Sequence, residues 1–145
     1  MAVCVLFGHR DCPQWVRQPL REALIELIEQ QGVRRFYLGN QGAFDRMARS
    51  VLRELAAEYP EIDYTVVLAY VPQPGQAWET MKDTMLPEGI ETVSPRYAIV
   101  WRNRWMLRQA DCVVAYITRD WGGAAQFVRQ AQRQNKPVIF LPVRL

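Results

Sequence analysis

Two glycines that follow a buried apolar run mark a place where this sequence could bind a ligand. The run 112–117 shows no alternation of polar and apolar residues, which is typical of a parallel β-strand covered by helices on both faces. Gly122 and Gly123 follow it and would let the backbone approach a ligand closely. A helix predicted from about Ala124 would present its positive N-terminal end, which favours an anion such as phosphate. A plain strand-to-helix turn would use the same residues, so both interpretations stay open.

A second polar loop, Gly8-His9-Arg10, follows the first predicted strand, 2–7, and contains the chain's only histidine. His9 could donate a hydrogen bond to a ligand or carry a proton, and Arg10 could bind a phosphate through paired hydrogen bonds. The alternative is a loop histidine that only caps backbone groups. We favour His9 as a binding residue over His9 as a catalyst.

A third loop carries Gly39 and Gly42 after the second predicted strand, 35–38. It lacks the third glycine of a dinucleotide-binding fingerprint, which argues against a nicotinamide cofactor. Asp45 lies in the first turn of the next helix. Its carboxylate either interacts with the helix dipole or accepts hydrogen bonds from ribose hydroxyls, and we slightly favour the ribose interpretation.

Three further polar or aromatic residues could complete a site. Arg102, with Asn103 beside it, would bind phosphate if a helix predicted over 98–109 aimed its guanidinium into the crevice. Trp121 could stack on a base, although core packing explains a tryptophan equally well. The sequence contains no Ser/His/Asp arrangement and no cluster of metal-ligating residues, so we expect no metal and no cofactor.

The elements that position these residues alternate between strands and helices. Further strands are predicted at 64–70 and 137–141 and a helix at 18–32, whereas prolines and glycines interrupt 71–95, which we interpret as a functional or mobile loop. This pattern predicts an α/β fold, a Rossmann-like doubly wound, mostly parallel five-stranded sheet with helices on both faces, in the order 3-2-1-4-5. The polar loops would then converge at the carboxyl ends of strands 1, 2 and 4 of this prediction, which are 2–7, 35–38 and 112–117.

Length and composition fit a single domain over 1–145. The chain has 145 residues, half of them hydrophobic, and no apolar run approaches the roughly 20 residues that span a bilayer. We therefore expect a cytoplasmic protein with no membrane partner. The net charge is only +3 and the arginines are scattered, which gives no clear nucleic-acid signal.

In order along the chain, these motifs resemble those of the SLOG superfamily, particularly its YpsA-like branch. The superfamily also includes the lonely-guy phosphoribohydrolases and the DNA-processing protein DprA. The shared motifs are Gly8-His9-Arg10, Gly39-x-x-Gly42-x-Phe44-Asp45, Arg102-Asn103-Arg104-x-Met106, Asp111 and Gly122-Gly123. The resemblance implies a Rossmann-like fold whose crevice binds nucleotides or nucleotide-derived ligands, often proposed to be sensed as signals.

The resemblance to the phosphoribohydrolases is incomplete. Their Arg-Lys-x-x-Met segment is similar to the segment from Arg102 to Met106, and its arginine helps hydrolyse the N-glycosidic bond of a nucleoside monophosphate. They continue with Pro-Gly-Gly-x-Gly-Thr-x-x-Glu, but this chain lacks the Gly-Thr pair and has Arg129 where the catalytic glutamate should stand. Enzyme activity is therefore uncertain, because Glu79, Glu88 or Asp45 would have to supply the carboxylate.

We thus predict a sensor-type protein that binds a small nucleotide-like molecule, with a phosphoribohydrolase as the alternative. A homo-oligomer assembled through the helix that carries Trp101 and Trp105 is a further possibility. The predicted ligand-binding residues are Gly8, His9, Arg10, Gly39, Gly42, Asp45, Arg102, Asn103, Trp121, Gly122 and Gly123.

Overall fold

A parallel β-sheet forms the centre of the protein, and the computed structural model describes residues 2–71 and 82–144. The six strands in these ranges are β1 (Ala2–Gly8), β2 (Val33–Leu38), β3 (Asp63–Val67), β4 (Thr84–Met85), β5 (Cys112–Tyr116) and β6 (Val138–Phe140). The helices are α1 (Arg17–Gln31), α2 (Ala43–Glu58), α3 (Ala98–Gln109) and α4 (Gly123–Arg133), with short 3-10 turns at Gln14–Val16, Ile90–Thr92 and Pro95–Tyr97. The strand order is β4-β3-β2-β1-β5-β6, and every neighbouring pair is parallel.

The predicted Rossmann-like α/β fold is confirmed, with one strand more than we predicted. The extra strand, β4, has two residues and pairs with the end of β3 through Val66 and Val67. It lies within 71–95, the segment that we interpreted as irregular, because two residues are too few to show a periodic pattern. The sequence also allows one helical turn or more around Trp78 to Met85; residues 72–81 lie outside the described residues, and Thr84–Met85 form β4 instead.

Each central strand is buried on both faces, which explains its continuous apolar sequence. In β1, Cys4 and Leu6 face one hydrophobic core, which α1 and α2 cover, whereas Val5 faces a second core, which α3 and α4 cover. Alternate side chains of a strand point to opposite faces, so both faces of β1 must be apolar. None of the helices in the described ranges is long and apolar enough to cross a bilayer.

Two helices that follow central strands begin after glycines with the same unusual backbone conformation. Gly42 precedes α2 with φ 95° and ψ −173°, and Gly122 precedes α4 with φ 95° and ψ 176°. Essentially only glycine adopts this region. Neither glycine offers a side chain to cap its helix, so the first turn of each helix must find hydrogen-bond acceptors elsewhere.

Close packing between β1 and α2 predicts that Gly8 tolerates no larger residue. A Cβ added at Gly8 would lie 2.4 Å from Cγ of Phe44, which is completely buried in the first turn of α2. We expect Gly8→Ala to lower the free energy of unfolding by about 1–3 kcal/mol in urea denaturation. Gly123→Ala is the control, because a Cβ there meets nothing within 4 Å. Equal stability of the two variants would contradict this packing.

Candidate functional site

A cleft of about 370 Å³ opens at the carboxyl ends of the central strands. The chain runs from β1 outwards to β4 on one side and then returns to place β5 and β6 on the other side, so the cleft lies where the strand order reverses. This is where doubly wound folds bind ligands. Most of the residues that we predicted for the site line the cleft: Gly8, His9, Arg10, Asp45, Arg102, Asn103, Gly122 and Gly123.

The other predicted residues, Gly39, Gly42 and Trp121, do not line the cleft. A Cβ at Gly39 would come within 2.8 Å of Arg102 Nη1, and one at Gly42 within 2.6 Å of Arg10 Cα, so both glycines allow close approach beneath the cleft. Trp121 is 64% exposed beside it, which excludes the core-packing interpretation of this residue.

Arg102 forms the floor of the cleft and is only 1% exposed. Its Nε donates a hydrogen bond to Asn103 Oδ1 (2.8 Å), and Nη1 donates to the carbonyl oxygen of Val67 at the end of β3 (2.7 Å). Burial lowers the pKa of the guanidinium, and the nearby Asp45 opposes that shift. We expected this guanidinium to project towards a phosphate. Instead, two of its donors are committed to the protein.

Asp45, in the first turn of α2, is the buried carboxyl group of the cleft and is 6% exposed. Its Oδ2 accepts a hydrogen bond from the backbone N–H of Gln41 at 2.8 Å. Burial raises the pKa of Asp45 to about 6, and this hydrogen bond and the charge of Arg102 only partly offset the effect. The carboxyl group therefore changes its protonation state just below neutral pH.

His9 contributes a ring nitrogen that has no partner within the described part of the chain. The residue is 3% exposed, and its Nε2 is a buried atom without a hydrogen bond. Burial and the charge of Arg119 lower the pKa of His9, and Asp11 partly offsets them, so the ring is neutral at pH 7. Buried polar atoms are rarely left unpaired in proteins, which makes this nitrogen a candidate for bonding a ligand.

Arg119 also lines the cleft, although we did not single it out in the sequence. Its Nη1 donates to both carboxylate oxygens of Asp11, at 3.0 and 3.1 Å, and its guanidinium lies 4.4 Å from the ring centroid of Trp121. The available signal was its position in the sequence, between the predicted strand 112–117 and the glycine pair Gly122-Gly123. Together with Arg10, it brings two arginines to the lining of the cleft, which also includes the first residues of α4.

The first turn of α4 is open towards this cleft. No side chain caps the helix, and its first backbone bond joins the N–H of Gln126 to the carbonyl of Gly122. The N–H groups of Gly123 and Ala124, which both line the cleft, have no acceptor among the described residues. At α2, by contrast, the N–H of Ala43 bonds the carbonyl of Arg10 at 2.8 Å. The free amides of α4 therefore point to an anion-binding position.

The structure offers one of the three carboxyl groups that could replace the missing catalytic glutamate. Arg129 occupies that position of the motif, and its Nη1 donates to the carbonyl of Asp120 at 2.7 Å. Asp45 lines the cleft, whereas Glu88 does not, and Glu79 lies outside the described residues. In the described ranges, no group of three or more His, Cys, Asp or Glu side chains could hold a metal ion.

Comparison with known proteins identifies relatives of this Rossmann-like fold. Two solved structures share it: DNA processing protein A (DprA) from Streptococcus pneumoniae, with a TM-score of 0.73 and 13% identity, and DprA from Helicobacter pylori, with a TM-score of 0.65 and 19% identity. The alignments cover 100% and 99% of this chain, but only 52% and 66% of those proteins. No protein-family model and no curated protein matches the chain. At such low identities, the likeness shows the fold.

These neighbours correct our expectation about partners. The Helicobacter pylori structure describes a single-stranded DNA binding mode, so our prediction of no clear nucleic-acid signal was wrong. The fold is one that DNA-binding proteins use, and scattered arginines in a sequence do not show which of them folding brings together. The structural neighbours agree with the DprA side of the SLOG resemblance, whereas the YpsA-like branch stays a prediction.

The raised pKa of Asp45 predicts a pH-dependent stability. Because the folded protein holds this proton more tightly than the unfolded chain does, the stabilisation is complete below about pH 4 and is lost as pH rises through about 6. Asp45→Asn should therefore be more stable than the wild type by about 2–3 kcal/mol at pH 8, with little difference at pH 4. Urea denaturation at both pH values measures this, with the exposed Asp63→Asn as control. A constant difference across pH would refute the assignment.

Proposed function

We propose that the cleft binds a nucleotide, with a phosphate against the N-terminus of α4. One observation carries this proposal: Gly123 and Ala124, whose N–H groups have no acceptor among the described residues, line the same cleft as His9, whose buried Nε2 has no partner there either. Amides at a helix N-terminus favour an anion, and a buried ring nitrogen favours a ligand with a hydrogen-bonding group. A nucleotide provides both kinds of group.

The charges beside α4 support a phosphate rather than a neutral ligand. Arg10 is exposed at the mouth of the cleft, and Arg119 lines its wall. Asp11 neutralises part of the charge of Arg119. Arg119 uses only Nη1 in this contact, which leaves its other guanidinium donors for a ligand. Charge-assisted hydrogen bonds to phosphate are stronger than neutral ones, so these arginines would add affinity.

The deeper groups would hold the sugar or the base of the nucleotide. Asp45 can accept hydrogen bonds from hydroxyl groups once it is ionised, which its pKa of about 6 allows at neutral pH. His9, whose buried Nε2 has no partner among the described residues, lines the same cleft. The exposed Trp121 beside the cleft gives a base a flat surface on which to stack, and one face of its ring is already covered by Arg119.

The likeness to DprA supports single-stranded DNA as the molecule that carries this nucleotide. A YpsA-like sensor would instead bind a free nucleotide derivative at the same cleft. The two functions differ in how affinity depends on the length of the nucleic acid. A sensor binds oligonucleotides no more tightly than mononucleotides. A DNA-binding protein gains affinity with each nucleotide that finds a contact.

A conservative change at the phosphate position tests the proposal. We expect Arg119→Gln to weaken binding of fluorescein-labelled oligothymidylate about tenfold or more in fluorescence polarisation, because a charged donor to phosphate contributes about 1.5–3 kcal/mol. The matched control is Arg35→Gln, which removes the same charge from an exposed residue of β2 outside the cleft. If the two variants bind alike, or if the wild type binds neither oligothymidylate nor any mononucleotide, the proposal fails.

The second candidate function is a nucleotide phosphoribohydrolase, and the environment of Asp45 favours it. Asp45 lies close to Arg102 in the cleft, and a carboxyl group with a pKa of about 6 can act as an acid or a base near neutral pH. The missing glutamate of the motif argues against this activity.

Measuring the release of free base from nucleoside monophosphates distinguishes the candidates. For a binding protein, we expect no release above background even at micromolar protein concentration. Release that disappears in Asp45→Asn, but persists in the exposed control Asp63→Asn, would instead establish the hydrolase and overturn the binding-only function.

A further inference from the structure

A second groove continues from the cleft between α3 and α4. It has a volume of about 340 Å³ and shares Ile99, Asn103 and Gly123 with the cleft. Because the two hollows have these residues in common, a ligand that fills the cleft can extend into the groove without leaving the protein surface. The groove thus provides a path away from the proposed nucleotide position.

The charged side chains of this groove are all arginines. Arg104 of α3 and Arg129 and Arg133 of α4 line it, with Gln126 and Gln130 beside them. Arg129 and Arg133 are four residues apart and therefore lie on one face of α4, separated by about 6 Å along its axis. Arg129 gives Nη1 to the carbonyl of Asp120 and keeps its other donors, so each of the three guanidinium groups has donors for a phosphate.

The arginines of the groove differ from those on the opposite face of the sheet. There, Arg17 and Arg21 of α1 form ion pairs with Glu54 and Glu58 of α2, and Arg49 of α2 pairs with Asp83. The sequences of α3 and α4 contain no acidic residue at all. In the described ranges, no carboxylate lies within 4 Å of the three groove arginines.

This asymmetry argues against ordinary solvated helix faces, which usually mix both signs of charge. Uncompensated positive charges repel one another and therefore destabilise the compact state, so a run of them along one groove is typical of a surface that binds a polyanion. The glutamines can form hydrogen bonds with base edges, and the half-exposed Val100 provides an apolar contact on the α3 side.

We propose that a single strand of nucleic acid, with one nucleotide in the cleft, continues along this groove and places its next phosphates on Arg104, Arg129 and Arg133. The inference rests on the proposed function, since the cleft fixes one end of the strand. A nucleic acid is favoured over an acidic peptide because the groove leads directly from a site that is suited to a nucleotide.

The test compares oligothymidylates of about 2 and about 12 nucleotides by fluorescence polarisation over a range of salt concentrations. The variant is the triple substitution Arg104→Gln, Arg129→Gln and Arg133→Gln. The control removes the same charge from exposed residues outside both the cleft and the groove, with Arg35→Gln, Arg53→Gln and Arg108→Gln. Unchanged thermal unfolding of both variants shows that they remain folded.

We expect the groove variant to bind the long strand about 10–100-fold more weakly at low salt. For this variant, the magnitude of the negative slope of log K against log salt should fall by about 2. Its affinity for the short strand should equal that of the wild type, and the control variant should lose much less affinity. Equal losses in the two triple variants, or displacement of the long strand by polyglutamate at matched charge concentration, would overturn the groove.

The outcomes also separate this inference from the proposed function. If the wild type binds the short and long strands equally well, the groove does not bind the strand, while the proposal of a nucleotide in the cleft stands. If the groove variant loses the long strand but Arg119→Gln does not, the groove arginines bind nucleic acid, while the nucleotide cleft and the path that starts from it are both overturned. If the wild type binds neither strand, both are overturned.

Discussion

The buried guanidinium of Arg102 connects the parts of the protein that form the cleft. A charge removed from water is costly unless polar groups surround it, and here the carbonyl of Val67 and the amide of Asn103 accept its hydrogen bonds, with Asp45 close by. These partners belong to β3 within the sheet, to α3 on one face of it and to α2 on the other. Gly39 adds the necessary space, since any side chain there would collide with the guanidinium. The interactions of the Arg102 guanidinium thus hold together the three elements that form the floor of the cleft.

Much of the fold could be predicted because the physical signals are local. The apolar run of β5 and the helical stripe of α1, which ends at Gly32 with φ 68°, are both legible within a few residues of sequence. The third strand shows the limit: we predicted it to reach Tyr70, but it ends at Val67, and its last bond to β4 runs from the N–H of Leu68 to the carbonyl of Met85, although Ala69 remains buried beyond it. A run of apolar residues reports burial, and it does not report whether a neighbouring strand is present to pair with the backbone.

The meeting of most candidate residues in one cleft was predictable, whereas the orientation of their side chains was predictable only in part. His9 and the glycine pair follow strands whose ends must meet, so topology alone placed them together. The orientation of Arg102 was not predictable, because its partners, such as the carbonyl of Val67, are distant in sequence. The groove was not predictable either, because its residues are distant in sequence. Arg104 and Arg129 are separated by a strand and two loops, and only the packing of α3 against α4 brings them to one surface. The amino-acid composition counts these arginines together with those that form ion pairs, so it does not reveal a basic surface.

The two glycines that precede α2 and α4 share one backbone conformation, yet the protein treats the two helices differently. The carbonyl of Arg10 completes the start of α2 from within the chain, whereas α4 has no such acceptor among the described residues. An anion at α4 would therefore act as the missing cap of the helix. Binding would then give the N–H groups of Gly123 and Ala124 the acceptor that they lack, and so stabilise the first turn of α4. The stability of the folded protein would then rise with the concentration of that ligand.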